Sequence, residues 1–122
     1  MTVSTLPRLQ ELSAAAVETA MRAPEIVLID VREPQEFGAE RIPGALLFSL
    51  STFDPAALRP PDGCTVVFHC GSGRRSAAAI GRRRERALAH TALMAGGIQA
   101  WTAAGLPRVT LDPASGGIVG RR

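Results

Sequence analysis

Short apolar runs recur along the chain, and most are followed by a stretch with the composition and end signals of a helix. The runs are four to six residues long and show no alternation of polar and apolar positions. Such runs are typical of strands that are buried on both faces of a parallel sheet. They comprise Ile26–Ile29, Ala45–Phe48, Cys64–His69 and Thr91–Ala95, and Leu9–Leu12 is predicted to add a short edge strand.

Helix signals lie between these runs. Ser13 can cap a helix over Ala14–Arg22, and Pro24 helps to end that helix. Pro34 stands in the first turn of a predicted short helix over Glu33–Ala39. Further helices are predicted over Ser51–Leu58, from Ser76 to about Leu88, and over Gly97–Ala104. Strands that alternate with helices predict an α/β fold, with a doubly wound parallel sheet covered by helices on both faces.

Length and hydropathy predict one domain without a membrane span. With 122 residues, 46% of them hydrophobic, the chain can bury roughly two-thirds of its unfolded surface. No apolar run approaches the length of about 18 residues that indicates a transmembrane helix, and no signal peptide is visible, so we expect a cytoplasmic protein. We assign residues 1–8 to an N-terminal arm, 9–108 to the domain, and the glycine-containing residues 109–122 to a flexible C-terminal tail.

Arginine is the only strongly basic residue type in the chain, which has no lysine and a net charge of +3. Schiff-base chemistry on a lysine is therefore excluded. Four arginines crowd the predicted central helix, at positions 82, 83, 84 and 86. Because no aromatic side chains accompany this cluster, we expect no binding of nucleic acid. An acidic protein partner and a solvated helix face both stay open as explanations of the cluster.

One stretch has the residues of a reactive site, and it runs from Cys70 through Gly71, Ser72, Gly73, Arg74 and Arg75 to Ser76. It joins the apolar run over Cys64–His69 to the start of the predicted central helix. The N–H groups of such a glycine-containing loop converge on an anion, and the helix dipole adds to this field. A thiol at this point is shifted toward thiolate, so Cys70 is the candidate nucleophile.

Cys64 and His69 are not expected to take part in the chemistry of Cys70. Cys64 lies at the other end of the same strand, about 20 Å from Cys70, which is too far for a disulfide. Neighbouring residues of a strand point to opposite faces, so His69 is not expected to act as a base for Cys70. No cysteine or histidine grouping has the spacing of zinc ligands, and neither a metal nor a cofactor is predicted.

Three stretches, taken in order, resemble the signatures of the rhodanese superfamily. Cys70, Gly73, Arg75 and Ser76 match the active-site pattern Cys-x-x-Gly-x-Arg-Ser. The N-terminal signature resembles Leu28–Phe37 followed by Ile42–Ala45, and the C-terminal signature resembles Gly96–Trp101 followed by Ala104–Pro107. The resemblance covers residues 12–108 and implies a single domain with a five-stranded doubly wound sheet.

The resemblance also implies a thiosulfate sulfurtransferase in which Cys70 is the catalytic residue. Its thiolate takes a sulfur atom from a donor such as thiosulfate, holds it as a persulfide and passes it to cyanide or a thiol. The loop residues from Gly71 to Ser76 bind the anionic sulfur, and Arg74 and Arg75 favour an anionic donor. The implied partners are a small-molecule sulfur donor and acceptor. An acidic protein acceptor stays open as an alternative, and no association with a membrane is expected.

Loop length and two departures from the family pattern keep other functions open. Four residues separate Cys70 from Arg75, whereas tyrosine phosphatases and rhodanese-like cell-cycle phosphatases have five, so a phosphatase or arsenate reductase is disfavoured. Gly71 stands where the family often has a bulky or basic residue, which leaves the identity of the donor open. The alternative function is a non-catalytic or partner-dedicated persulfide carrier or regulatory module. Glu40 and Arg41 replace a Gly-His pair that usually precedes the N-terminal signature's isoleucine.

Asp30 and Arg32 follow the first long apolar run, at the edge of the sheet where α/β proteins bind ligands. We include them as supporting residues of the site. The alternative is a structural ion pair that braces the neighbouring loops.

Overall fold

The computed structural model describes residues 10–23, 25–54, 63–71, 91–112 and 114–120. The strands are β1 (Gln10–Leu12), β2 (Ile26–Asp30), β3 (Glu40–Arg41), β4 (Leu46–Leu47), β5 (Thr65–His69), β6 (Thr91–Met94), β7 (Val109–Leu111) and β8 (Ile118–Gly120). The helices are α1 (Ala14–Arg22), α2 (Pro34–Ala39) and α3 (Gly97–Ala103), and a 3₁₀ turn covers Leu50–Thr52.

Five strands form the main sheet, in the order β1-β6-β5-β2-β4. All of its strand pairs are parallel, which confirms the predicted five-stranded parallel sheet. The longest pairing joins β2 to β5 over their full lengths, so that Asp30 lies beside His69 at the carboxyl end. β5 occupies the centre of the sheet between β2 and β6, and Cys70 follows its last residue.

The two faces of the sheet bury separate apolar clusters. Helices α1 and α3 cover one face, where Val17, Trp101 and Ile98 pack against Leu28 and Val67. The other face buries Ile29, Val31, Val66, Phe68, Leu93 and Cys70. Alternate residues of β5 therefore enter different clusters, as expected for a strand buried on both sides.

Local signals account for the start of two helices. The hydroxyl of Ser13 accepts a hydrogen bond from the N–H of Ala16 at 3.1 Å, which confirms the predicted cap of α1. In α2, Glu33 and Glu36 form a reciprocal capping box around Pro34 in the first turn. The side chain of Glu36 accepts from the N–H of Glu33 at 3.0 Å.

The segment after residue 108 differs from the predicted flexible tail, because two strands form there. β7 pairs antiparallel with β8 and with β3, and gives a second sheet in the order β3-β7-β8. The carboxylate of Asp112 stabilises the hairpin turn by accepting from the N–H of Ala114 at 2.9 Å. An ion pair between Arg108, just before β7, and Glu40 of β3 also joins this hairpin to β3.

Two predicted helices cannot be compared over their whole length. Only the 3₁₀ turn over Leu50–Thr52 is found at the start of the helix predicted over Ser51–Leu58, whose second half lies outside the described residues. The helix predicted from Ser76 to about Leu88, with its arginine cluster, also lies outside them. Within the part of the chain that the structure describes, no helix is long and apolar enough to cross a membrane.

Candidate active site

Cys70 follows the last residue of β5, at the carboxyl end of the central strand. Cys70 is only 1% exposed and belongs to the apolar cluster that contains Val66 and Phe68. The preceding residue, His69, instead lies beside Asp30 and is fully buried. The structure therefore brings a cysteine to the ligand-binding edge of a parallel sheet, as the sequence predicts.

The backbone of Cys70 and Gly71 is held by the first turn of α3. The N–H of Ile98 donates to the carbonyl of Cys70 at 2.8 Å, and the N–H of Gln99 donates to the carbonyl of Gly71 at 3.2 Å. These are two of the N–H groups that have no partner within their own helix. Because β6 lies next to β5, the start of α3 comes directly against the cysteine's segment.

Gly97 makes this approach possible. Its φ is +59°, and a Cβ built there would lie 2.2 Å from the carbonyl oxygen of Cys70 and 2.7 Å from the carbonyl of Gly71. Distances under about 3 Å between such atoms are not tolerated, and the positive φ also favours glycine. Sequence analysis placed Gly97 in a family signature but did not assign it to the site. The signal in the sequence that could have indicated its role is the pair Gly96-Gly97 at the start of the predicted helix.

Asp30 and Arg32 form a buried ion pair beside this region. Arg32 donates from Nη2 to Oδ2 of Asp30 at 2.8 Å and from Nε to Oδ1 at 3.0 Å. Its Nη2 also donates to the carbonyl of Glu40 at 2.5 Å, and its backbone N–H donates to Oδ1 of Asp30 at 2.9 Å. These bonds connect β2 to β3, which agrees with the bracing role that the sequence left open.

We expect Arg32→Lys to lower the free energy of unfolding by about 1–3 kcal/mol, because an ammonium cannot reproduce the planar fork on Asp30 while reaching Glu40. Urea denaturation measures this change. Arg22→Lys is the matched control, since Arg22 pairs with Glu18 on the surface and its side chain is 76% exposed. That control is expected to cost less than about 0.5 kcal/mol. Equal losses in the two variants would contradict the bracing role.

The ring of His69 lies between two oxygen atoms. Its Nδ1 is 3.4 Å from the carbonyl oxygen of Cys70, within hydrogen-bond range. Its Nε2 is 3.5 Å from Oδ2 of Asp30 and makes no hydrogen bond. Burial lowers the pKa of His69 below the ordinary value of 6.5, and this effect outweighs the opposing attraction to Asp30. The imidazole is therefore neutral at pH 7.

A buried neutral histidine makes stability depend on pH. At pH values between the lowered pKa of His69 in the folded chain and the ordinary value of 6.5, His69 binds a proton in the unfolded chain but not in the folded chain. The free energy of unfolding is therefore expected to fall as the pH drops below 6.5, by at most about 1.4 kcal/mol per pH unit from this group. Urea midpoints at pH 7.5 and 5.5 check the slope, and His69→Asn should reduce it. An unchanged slope in that variant would contradict a neutral His69.

Most of the predicted anion-binding loop lies outside the described residues. The structure places Cys70, Gly71, Asp30 and Arg32, whereas Ser72, Gly73, Arg74, Arg75 and Ser76 are not described. Both cysteines that it describes, Cys64 and Cys70, are free of disulfides. Among the described residues there is no group of three or more His, Cys, Asp or Glu side chains that could hold a metal ion.

A groove with a volume of about 590 Å³ lies away from Cys70, on the face covered by α1 and α3. Met21, Arg22 and Trp101 line it together with Val109 and Gly120 of the C-terminal hairpin. Among its described lining residues, neither Cys70 nor Gly71 appears. The position of Cys70 at the sheet edge, and not this groove, therefore defines the candidate active site.

Comparisons with known proteins agree with the fold. The rhodanese-like domain family matches residues 13–104. An uncharacterised protein of Synechocystis sp. is 39% identical over 84 residues, which are 69% of this chain and 47% of that protein. The chain thus matches about half the length of this relative. A protein of Allochromatium vinosum named sulfurtransferase is 32% identical over 85 residues, 70% of this chain and 79% of that protein.

A solved structure has the same architecture. The crystal structure of a rhodanese-related protein from Thermoplasma volcanium superposes with a TM-score of 0.72 at 27% sequence identity. The superposition covers 82% of this chain and 97% of that one. The parallel sheet and its helices are therefore shared with this group of proteins.

Proposed function

The chain belongs to the rhodanese-like domain family, and from this premise we propose that it is a sulfurtransferase that carries sulfur as a persulfide on Cys70. One observation supports this most directly. Cys70 is at the carboxyl end of the central strand, and its carbonyl is bound by the N–H of Ile98 in the first turn of α3. This cysteine also begins the Cys-x-x-Gly-x-Arg-Ser pattern.

The proposed reaction has two steps and needs no oxidant. The Cys70 thiolate attacks the outer sulfur of thiosulfate and forms a sulfur–sulfur bond. The sulfur–sulfur bond of thiosulfate breaks, and sulfite leaves with the electron pair. Cyanide or a thiolate then attacks the outer sulfur of the persulfide, giving thiocyanate or a new persulfide, and Cys70 leaves as a thiolate. Such covalent catalysis predicts ping-pong kinetics.

The anionic intermediates of this reaction require positive surroundings. The thiolate and the persulfide both carry a negative charge close to the loop that follows Cys70. The sequence supplies Arg74 and Arg75 there, together with the N–H groups of Gly71 to Ser76, and these stabilise the charge by hydrogen bonds and electrostatic attraction. We assign no cofactor to the reaction, because every bond change occurs between sulfur atoms or between sulfur and the acceptor.

The donor and the acceptor of this chain are part of the proposal. Thiosulfate is the donor we propose first, because it is an anion and two arginines follow the cysteine closely. A second candidate is a carrier that exchanges its sulfur only with a protein partner, and it is favoured by Gly71, which stands where the family often has a bulky or basic residue. Such a partner would be acidic if it contacts the arginine-rich central segment. A cytoplasmic location stays a prediction.

Intact mass spectrometry after incubation with thiosulfate tests the proposal. We expect a gain of one sulfur atom that is located at Cys70 by peptide mapping and is lost on addition of cyanide. A steady-state assay with thiosulfate and cyanide then separates the two candidates. Uptake with turnover supports the small-molecule enzyme, and uptake without turnover supports the dedicated carrier. Absence of sulfur on Cys70 with thiosulfate and also with a persulfide donor would overturn both.

A further inference from the structure

The carbonyl of Cys70 is approached by two nitrogen atoms from two different elements. The first is the N–H of Ile98 in α3, at 2.8 Å. The second is Nδ1 of His69 itself, whose ring is completely buried and turns back toward the carbonyl at 3.4 Å. Since a carbonyl oxygen has two lone pairs, it can accept both bonds.

The other side of the histidine ring indicates which nitrogen carries the proton. Nε2 is fully buried and has no hydrogen bond, although Oδ2 of Asp30 is 3.5 Å away. Both oxygens of Asp30 already accept hydrogen bonds from Arg32. The carboxylate is therefore satisfied without the histidine, whereas Nδ1 is within bonding range of the carbonyl of Cys70. This arrangement favours the neutral tautomer with its proton on Nδ1.

Holding the carbonyl of Cys70 has a consequence for the next residue. The described peptide bonds contain no cis form, so each carbonyl and the following N–H point in opposite directions. When the carbonyl of Cys70 is directed at Ile98 and His69, the N–H of Gly71 is directed away from them. This N–H is the first backbone donor that the chain offers to an anionic sulfur on Cys70.

We propose that His69 is a positioning residue for sulfur transfer: its Nδ1–H holds the carbonyl of Cys70 and thereby orients the N–H of Gly71 toward the reacting sulfur. The inference rests on the proposed function for its role in transfer. Its geometric part, which concerns the orientation of the Cys70–Gly71 peptide, does not. His69 itself does not exchange a proton with the cysteine, because neighbouring side chains of the strand lie on opposite faces.

Two substitutions of His69 test the role, both made in a Cys64→Ser background that leaves one thiol. His69→Asn keeps a donor at the position of Nδ1, because the amide nitrogen is the same number of bonds from Cα. His69→Leu fills the buried site with an apolar side chain and removes the donor. We expect His69→Leu to slow sulfur uptake from thiosulfate by about tenfold, the effect of losing one hydrogen bond, and His69→Asn to recover most of it. The loss should appear in kcat, with KM for thiosulfate little changed.

Val67→Ala is the matched control for general damage to the core. Val67 is fully buried, and it lies two residues before His69 on the same strand and the same face. It is expected to lower stability while leaving the rate of uptake within about twofold, because the carbonyl of Cys70 keeps both donors. If Val67→Ala slowed uptake as much as His69→Leu, or if His69→Asn were no better than His69→Leu, the positioning role would be wrong.

Two further measurements separate this inference from the proposed function. The rate at which iodoacetamide alkylates Cys70 reports on the thiolate's surroundings without sulfur transfer, and it should follow the same order among the three variants. Nitrogen-15 NMR of the ring distinguishes the tautomers, and the chain has only two histidines, so His90→Gln completes the assignment. If the protein takes up no sulfur but shows the Nδ1–H tautomer and this order of alkylation rates, only the proposed function is overturned. A proton on Nε2 at pH 7 would overturn the positioning role, even in an active enzyme.

Discussion

Cys70→Ser protein is expected to take up no sulfur and to transfer none, with activity at least about a thousandfold below that of the unmodified chain. The reason is chemical, since a hydroxyl is not ionised near neutral pH and cannot form the persulfide that the proposed reaction requires. Serine is close to cysteine in size, so we expect the packing against Val66 and Phe68 to survive. Intact mass after incubation with thiosulfate measures uptake, and circular dichroism checks the fold.

Cys64→Ser is the matched control for this prediction. Cys64 precedes β5, whereas Cys70 follows it, so the two thiols lie at opposite ends of the strand, about 20 Å apart. We expect the control to keep most of the activity and to show the same gain of one sulfur atom. An active Cys70→Ser protein together with an inactive Cys64→Ser protein would reverse the assignment of the nucleophile.

Gly97→Ala is expected to cause a large loss of stability, because the added methyl group meets backbone atoms. The new Cβ would lie 2.2 Å from the carbonyl oxygen of Cys70, and both contacting groups are backbone that a rotamer change cannot move. Either α3 shifts away from β5, or the segment after Cys70 is displaced. We expect a loss of more than about 4 kcal/mol in the free energy of unfolding, measured by urea denaturation, and loss of sulfur uptake in any protein that folds.

Gly105→Ala isolates the contribution of the steric clash. Gly105 also has a positive φ, of +73°, but a Cβ there would meet no atom within 4 Å. Its expected cost is the backbone strain alone, about 1 kcal/mol, with normal sulfur uptake. If Gly97→Ala were no more damaging than Gly105→Ala, the close approach of α3 to Cys70 would not be needed for folding.

Several local features of the fold were predictable from the sequence because their signals lie within a few residues. The helix over Ala14–Arg22 has its cap at Ser13, and both are found as predicted. The apolar strands are also found, with ends that move by one residue, as in β4 and β6. The site cysteine could be placed at the end of a strand because an apolar run precedes it and glycines follow it directly.

Other features were not predictable, because they depend on segments that are far apart in the chain. β3 is two residues long and has no periodicity of its own, and it forms because it pairs with β7, about 70 positions later. The glycines after residue 115 suggested flexibility, yet the turn at Asp112 allows β8 to pair back onto β7. Short strands of this kind are stabilised by their partners, and a partner cannot be identified from local composition.

The sequence by itself determined the alternation of strands and helices, the family signatures and the identity of the candidate nucleophile, because each is a property of contiguous residues. Only the tertiary structure decided which groups surround that nucleophile. The order β1-β6-β5-β2-β4 places the start of α3 against Cys70 on one side and Asp30 beside His69 on the other. Gly97 and His69 acquire their positions relative to the carbonyl of Cys70 through this order of strands, since hydrogen bonds and steric contacts act over a few ångströms of space, irrespective of separation along the chain.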